Sequence, residues 1–335
     1  MPQDHLLVRT ARGENVERPP VWAMRQAGRW DSEFQKVRVG QTFYEFSENV
    51  ELSAKASLLP KRFGVDAIIL FYDITTLTIS MGLPFTLQPN IGPVPDSPIR
   101  TMADVDKLNA EPPPESYQHI RDLLRVVKEE LKGELPVIVF AGAPFTLATY
   151  CIGTGKHMDD TRQFVREQPQ VWQALLTKIE TATVHFLRTL VHEGADLYQL
   201  FDSWAGMLTE EEYRTWAHPS HQEIIKAVDR VPRILFVKEC PFLEMLTQSG
   251  ADVISLGKLH NLAEARRNYP NLVFQGNVDQ EVLQNGSIEQ VQEETRRCLQ
   301  EGGGHRHIVN LNHGVDKSTP MENFVAYVET VQGSQ

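Results

Sequence analysis

The sequence predicts a single (β/α)8 barrel of the TIM type with its chemistry on one rim, and three observations carry that prediction. Eight short apolar runs recur along the 335 residues, at positions 21–24, 67–70, 137–140, 197–200, 234–237, 253–256, 272–275 and 308–311. They are rich in Val, Ile, Leu and Phe without clean alternation, the pattern of strands buried on both faces. Helix-length segments separate most of them, and strands that alternate with helices pair in parallel. All but the sixth run, which ends at Gly257 and Lys258, are followed by chemically capable side chains. A barrel of this type gathers the residues after its strands onto one active-site face.

Taken in order, the first run leads into Arg25, Gln26, Ala27, Gly28 and Arg29, with Arg38 further on. Arginine grips carboxylates with two prongs, and Gly28 lets backbone approach a ligand, so this edge reads as an anion site. For Arg29 alone the ordinary reading is a surface pair with Glu33, worth only ~0.3–0.5 kcal/mol. Asp73 follows the second run among apolar neighbours, where an ionised carboxylate is costly without donors or a cation; it could equally cap the next helix. After the third run come Gly142 to Thr146 and then Tyr150, whose phenol could hydrogen-bond a ligand. Asp202 and Ser203 follow the fourth, Lys238 and Glu239 the fifth, Gly276 and Asn277 the seventh, and Asn312, His313 and Gly314 the eighth.

One domain over residues 1–335 is the reading, with 1–18 a flexible polar N-terminus. Its polar, charged character lacks the apolar core of a secretory signal and the acid-free bias of a transit peptide. The Pro-dense stretches 84–98 and 112–114 read as loop, a long excursion after the second strand. No run approaches membrane-spanning length. Cys151, Cys240 and Cys298 are odd in number and widely spaced, which argues for a reducing compartment, the cytoplasm. A net charge of −11 speaks against nucleic-acid or anionic-membrane binding, while a locally positive cleft can still take an anionic small molecule.

Several chemistries lack support. Ser203 lies in Asp-Ser-Trp-Ala-Gly, without the nucleophile elbow of a Ser-His-Asp hydrolase. The glycines at 153–155 and 302–304 fit neither the dinucleotide fingerprint nor the P-loop, so no nucleotide cofactor is expected. The histidine pairs His305/His307 and His218/His221 lack the partners of a zinc site, so no metal is expected either.

Assembled, these segments resemble the uroporphyrinogen decarboxylase family along nearly the whole chain. Pro19-Pro-Val-Trp-Ala-Met-Arg-Gln-Ala-Gly-Arg29 is similar to that family's N-terminal signature, and Gly142-Ala-Pro-Phe-Thr-Leu-Ala-Thr-Tyr150 to its second. Phe201-Asp-Ser-Trp-Ala-Gly206, Gln275-Gly-Asn277 and Asn310-Leu-Asn-His-Gly314 are similar to its later strand-end segments. The resemblance implies cofactor-free loss of carbon dioxide from the four acetates of uroporphyrinogen, giving coproporphyrinogen for haem, by a homodimer of single-domain barrels. It implies substrate contacts at Arg25, Ala27, Gly28, Arg29, Asp73, Tyr150, Ser203 and His313, with Arg38 a further carboxylate contact. Asp73, Arg25 and Tyr150 are the expected catalytic residues: Asp73 would accept pyrrole N–H groups and stabilise a cationic ring, and Arg25 would help deliver a proton.

The chain departs from the family pattern at Trp30, Asp31 and Ser32, at Gly257 where Asp is usual, and at Gln280 where Pro is usual. Two alternatives stand beside the decarboxylase. A zinc-dependent methyltransferase of the same superfamily would need a His-x-Cys pair that the fifth strand end, Val237-Lys-Glu-Cys240, does not offer. A noncatalytic tetrapyrrole carrier would keep the arginines without needing Asp73.

Overall fold

The computed structural model describes residues 5–88 and 91–334. Its strands are β1 (Ile68–Ile69), β2 (Phe85–Gln88), β3 (Gly92–Pro95), β4 (Val137–Gly142), β5 (Leu197–Asp202), β6 (Arg233–Val237), β7 (Val253–Ser255), β8 (Val273–Gln275) and β9 (His307–Ile308). Seven of them form one sheet in the order β1-β4-β5-β6-β7-β8-β9, with every neighbouring pair parallel. The 21–24 run closes the ring. Val21 bridges Val309 in parallel, the Val309 N–H donates to the Pro20 carbonyl at 2.8 Å, and on the other side the Asp66 N–H donates to the Val21 carbonyl at 2.7 Å. The eight apolar runs are therefore the eight staves of a barrel.

Helices on the outer face follow from 3.6-residue periodicity. The Pro169–His192 helix buries Val171, Leu175, Ile179, Ala182, Phe186 and Leu190 along one stripe and opens on Pro at its first turn, where the missing N–H costs nothing. Inside the barrel a polar layer crosses the apolar core. Gln275 donates to Gln199 and Ser255, both at 3.0 Å, and accepts from the Trp22 indole at 2.9 Å, so these buried groups satisfy one another.

Strand starts share a construction. Gly64, Gly194 and Gly250 have φ of 82°, 107° and 84°, ending the preceding element in the left-handed region that glycine enters without strain. Two residues later stand Asp66, Asp196 and Asp252. Each carboxylate accepts a backbone N–H from the adjoining stave, at Val21, Val137 and Arg233 (2.7, 2.8 and 2.9 Å), and pairs with Arg18, Lys128 and Arg233 respectively.

Two expectations are corrected. Residues 6–11 are helical rather than a flexible polar end: Leu7, Val8 and Ala11 are buried in the cluster that holds Trp22, Ile138 and Val253. Residues 1–4 lie outside the described residues. The Pro-dense stretch 84–98 contains the antiparallel hairpin β2–β3, with Phe85 opposite Pro95 and Gln88 opposite Gly92. Short strands read as loop there because the stretch is dense in proline; among the described residues their edges have no further strand partner to deprive of hydrogen bonds.

Candidate active site

The strand ends open into a cavity of about 740 Å³. Its lining includes Arg25, Ala27, Gly28, Arg29, Arg38, Asp73, Tyr150, Ser203 and His313, so all nine residues singled out from the sequence share one space. Leu87 and Pro93 bring the β2–β3 hairpin to its edge.

Asp73 is buried just beyond β1. Its Oδ1 accepts the Thr75 N–H at 2.6 Å and the Thr75 hydroxyl, while Oδ2 has no donor among the described residues. Through the Thr75 N–H, Asp73 also caps the turn that leads into the Thr76–Ser80 helix, so one oxygen serves the backbone and the other faces away from it. Burial pushes the carboxyl above its ordinary pKa, against the lowering effect of the two Thr75 hydrogen bonds. Beside it Tyr72 is fixed: its ring stacks on Phe140 at 4.1 Å, its hydroxyl donates to the Phe140 carbonyl, and it accepts the Phe140 N–H at 2.7 Å.

Arg25 has φ 62°, an uncommon conformation for a residue with a side chain, and the Trp30 indole donates to its carbonyl at 3.2 Å. A Cβ at Gly314 would stand 2.5 Å from the Arg25 Cδ, so the bare glycine makes room for this side chain. The guanidinium is open to the cavity yet surrounded by protein. That enclosure lowers its pKa, Asp316 opposing, and no carboxylate lies within salt-bridge reach among the described residues. Arg29 is exposed at the mouth, and the Glu33 pair open to it does not form: Glu33 binds Lys36 at 2.7 Å instead. Arg38 ends the Ser32–Val37 helix, half-buried.

Tyr150 comes from the Pro144–Cys151 helix, edge-on to Trp204 at 6.3 Å, and burial raises its pKa. Ser203 is held on a turn whose next N–H, from Trp204, donates to the Thr146 hydroxyl at 3.1 Å. His313 is pulled down to about 4, first by burial and then by Arg25 and Lys238, so its imidazole is neutral at pH 7.

Other strand-end residues build the wall instead. Asp202 is fully buried and takes the Thr146 hydroxyl at 2.6 Å, the Ala205 N–H at 3.1 Å and the His221 imidazole at 2.9 Å. Gln26 bridges the Ala23 N–H and the Ala67 carbonyl, and Asn277 donates to the carbonyls of Gly257 and His260. Asn312 accepts the Gln280 N–H at 3.1 Å, a donor that the usual proline would lack. Asp31, another departure, caps the helix that follows and pairs with Arg62 at 2.5 Å.

Sequence reading missed the cavity's aromatic lining, Phe34, Phe43, Phe71, Phe140, Phe201 and Phe236, and the charges at Asp316 and Lys317. Phe140, Phe201 and Phe236 sat in plain view near the ends of three apolar runs, where core and cavity use the same residue type. Among the described residues no three His, Cys, Asp or Glu side chains are grouped to hold a metal ion, and no helix is long and apolar enough to cross a membrane.

Residues 2–334 match a family model described as uroporphyrinogen decarboxylase (URO-D). Among curated relatives, a uroporphyrinogen decarboxylase of Synechococcus sp. (strain JA-3-3Ab) is 38% identical over 97% of this chain and 92% of that protein. One from Geobacter metallireducens is 39% identical over 95% of each chain, and a chloroplastic one from Nicotiana tabacum is 37% identical over 98% of this chain and 86% of its own. Among solved structures, a methyltransferase from Methanosarcina mazei superposes with a TM-score of 0.82 at 20% identity, over 97% of each chain, which is a likeness of fold.

Proposed function

The chain belongs to the uroporphyrinogen decarboxylase family, and on that premise we propose that it removes the four acetate carboxylates of uroporphyrinogen as carbon dioxide, giving coproporphyrinogen for haem synthesis. The observation that carries this is Asp73: a buried carboxyl with one oxygen that meets no donor among the described residues, in the same cavity as arginines that form no salt bridge with any of them.

Each decarboxylation must dispose of an electron pair. Protonating the pyrrole carbon adjacent to the one that bears the acetate makes the ring a cationic sink conjugated with the acetate arm. The bond to the carboxylate then breaks, and its pair flows into the ring to leave an exocyclic methylene. Protonation of that carbon gives a methyl group, and the ring carbon loses the proton it had gained, which restores the aromatic pyrrole. One proton is consumed per carbon dioxide released, and no oxidant is needed. Asp73 Oδ2 accepts the pyrrole N–H groups, which acidify as the ring becomes cationic, so the contact tightens toward the transition state. Burial is what makes this effective: a carboxylate that is costly alone in an apolar pocket gains most when a cation forms over it.

Arg25, Arg29 and Arg38 hold carboxylates along one edge. Ring protonation is assigned to the Arg25 edge, where the lowered guanidinium pKa runs in the direction a proton donor needs. Tyr150, Ser203 and neutral His313 orient the remaining side chains, and backbone at Ala27 and Gly28 approaches the macrocycle. The aromatic lining suits the apolar faces of the pyrroles. We further assign the chain to one barrel domain, a homodimer and the cytoplasm, the last supported by three buried free thiols, Cys151, Cys240 and Cys298.

An anaerobic assay with uroporphyrinogen, resolving products by carboxylate number, tests the reading. Successive seven- to four-carboxylate products support it. Folded protein that releases no carbon dioxide would point to the carrier, or to the methyltransferase if zinc analysis found stoichiometric metal.

A further inference from the structure

Two cations of the cavity, Lys238 and Lys317, have no role above, and Lys238 is the one that stands directly after a stave. Lys238 follows β6, and around the ring of eight staves β6 stands fourth from the 21–24 run in either direction. Lys238 therefore enters the cavity across from the arginine edge. Its backbone is fixed on two sides. The Lys238 N–H donates to the Asp202 carbonyl at 2.9 Å, and a Cβ at Gly206 would stand 2.0 Å from the Lys238 carbonyl oxygen, so only glycine lets the turn after β5 lie on this residue. Glu239 then leaves in the left-handed region, φ 49°.

The side chain is half-buried and has no carboxylate partner among the described residues; its ammonium lies 5.9 Å from the centre of the Trp204 ring. His313, neutral at pH 7, lines the same cavity and feels the charge of both Arg25 and Lys238. A partly desolvated ammonium without a counter-ion is a site awaiting an anion.

We propose that Lys238 is a substrate-binding residue that holds a carboxylate on the side of the macrocycle away from the arginines, remote from the acetate being lost. The proposal rests on the decarboxylase reading. A ring bearing carboxylates on all four sides cannot be matched by one cationic edge. Its four acetates must also be presented in turn, so the far contact has to accept different arms of the ring. A compact charge on a flexible four-carbon stem does this better than a rigid guanidinium fork.

The test compares Lys238→Met, which keeps the stem and removes the charge, with Lys238→Arg. Equilibrium binding of the oxidised octacarboxylic porphyrin and steady-state turnover of uroporphyrinogen are both read. The methionine variant should raise Kd and KM by ~10-fold with kcat within about threefold, as expected for a charge-assisted contact made equally in ground and transition states. The arginine variant should recover most of that loss, and the gap between wild type and Lys238→Met should narrow in high salt. Unchanged Kd and KM in the methionine variant would overturn the proposal. So would a large loss of kcat at unchanged Kd, or a lowered thermal midpoint with normal binding by the folded fraction, which would make Lys238 a support for Trp204. Wild type that binds the porphyrin but releases no carbon dioxide defeats the decarboxylase reading alone, because the Kd comparison still decides Lys238.

Discussion

The two ends of this barrel treat charge in opposite ways. Where staves begin, ions are matched: Arg18 forks onto Asp66 with two bonds of 2.7 Å, Lys128 meets Asp196 at 2.9 Å, and Arg233 meets Asp252 at 2.7 Å. Each of those carboxylates also holds a backbone N–H of the adjoining stave. Where staves end, Arg25, Lys238 and Asp73 face a shared cavity without salt bridges among the described residues. Matched charge fixes the register of neighbouring staves; unmatched charge is a cost that the folded chain bears and a ligand relieves. One end is therefore built for stability and the other for binding.

The largest effect should follow from touching the unmatched end. Asp73→Asn keeps shape and removes the ionised oxygen, and kcat should fall by ~10²–10³, the range for losing one preorganised electrostatic contact. Its stability should move the other way. Burial raises the folded pKa of Asp73 above its unfolded value, so the unfolded chain ionises first and stability is lost as pH rises past the carboxylate range. The asparagine variant should accordingly be the more resistant to urea at pH 7, and the advantage should vanish near pH 3. Near-normal turnover, or a loss of stability at pH 7, would break the comparison at its strongest point.

Asp66→Ala is the mirror experiment. It strands the partly buried Arg18 and leaves the Val21 N–H without its acceptor. A destabilisation of about 2–3 kcal/mol is expected from urea titration, with kcat per folded molecule unchanged. If turnover fell in step with stability, the two ends would not be separable.

How much of this division could be read beforehand differs between the ends. The strand-end chemistry was legible because Arg25, Asp73, Tyr150, Ser203 and His313 are costly residues placed directly after apolar runs or on the helix that follows. Their neighbours Asp202, Asn277 and Asn312 looked equally chemical, and only geometry turns them into the wall: a buried Asp with three donors around it and a cavity Asp with a free oxygen are the same letter. The matched end was overlooked although its signal recurs three times, as Gly64-Val-Asp66, Gly194-Ala-Asp196 and Gly250-Ala-Asp252. Three residues of common types are too short to register as a repeat until the left-handed glycine and the shared N–H contact give them a purpose. Helix 6–11 was missed for a related reason: its charged flanks hide Leu7 and Val8, which tertiary packing alone identifies as core.

A smaller effect sharpens the account of Arg25. Gly314→Ala would place a methyl against the Arg25 Cδ and Cγ, at 2.5 and 2.7 Å. Gly314 itself has no left-handed backbone to defend, so the fold should tolerate the change while the guanidinium shifts. Turnover should drop about tenfold, the scale of a misplaced positioning group, with little change in thermal midpoint. A variant with full activity would mean that Arg25 reaches its carboxylate from more than one rotamer.

The smallest effect sets two histidines against each other. His307 near the start of β9 and His313 after it are both held down to about 4, burial being the first cause in each. Their unfolded values lie near 6.5, so the unfolded chain takes up protons first as pH falls, and each histidine withdraws stability between about pH 6.5 and 4. Replacing either one with Gln should flatten the fall in urea midpoint over that window. A bound polycarboxylate separates them. His313 stands among Arg25 and Lys238, and carboxylates that neutralise those cations remove part of what keeps it unprotonated; His307, packed against the Gly276 carbonyl at 2.6 Å, has no such exposure to a ligand. With the octacarboxylic porphyrin bound, the His313 contribution should shrink and the His307 contribution should persist. Equal slopes with and without ligand in the His307→Gln background would show that His313 does not sense what fills the cavity.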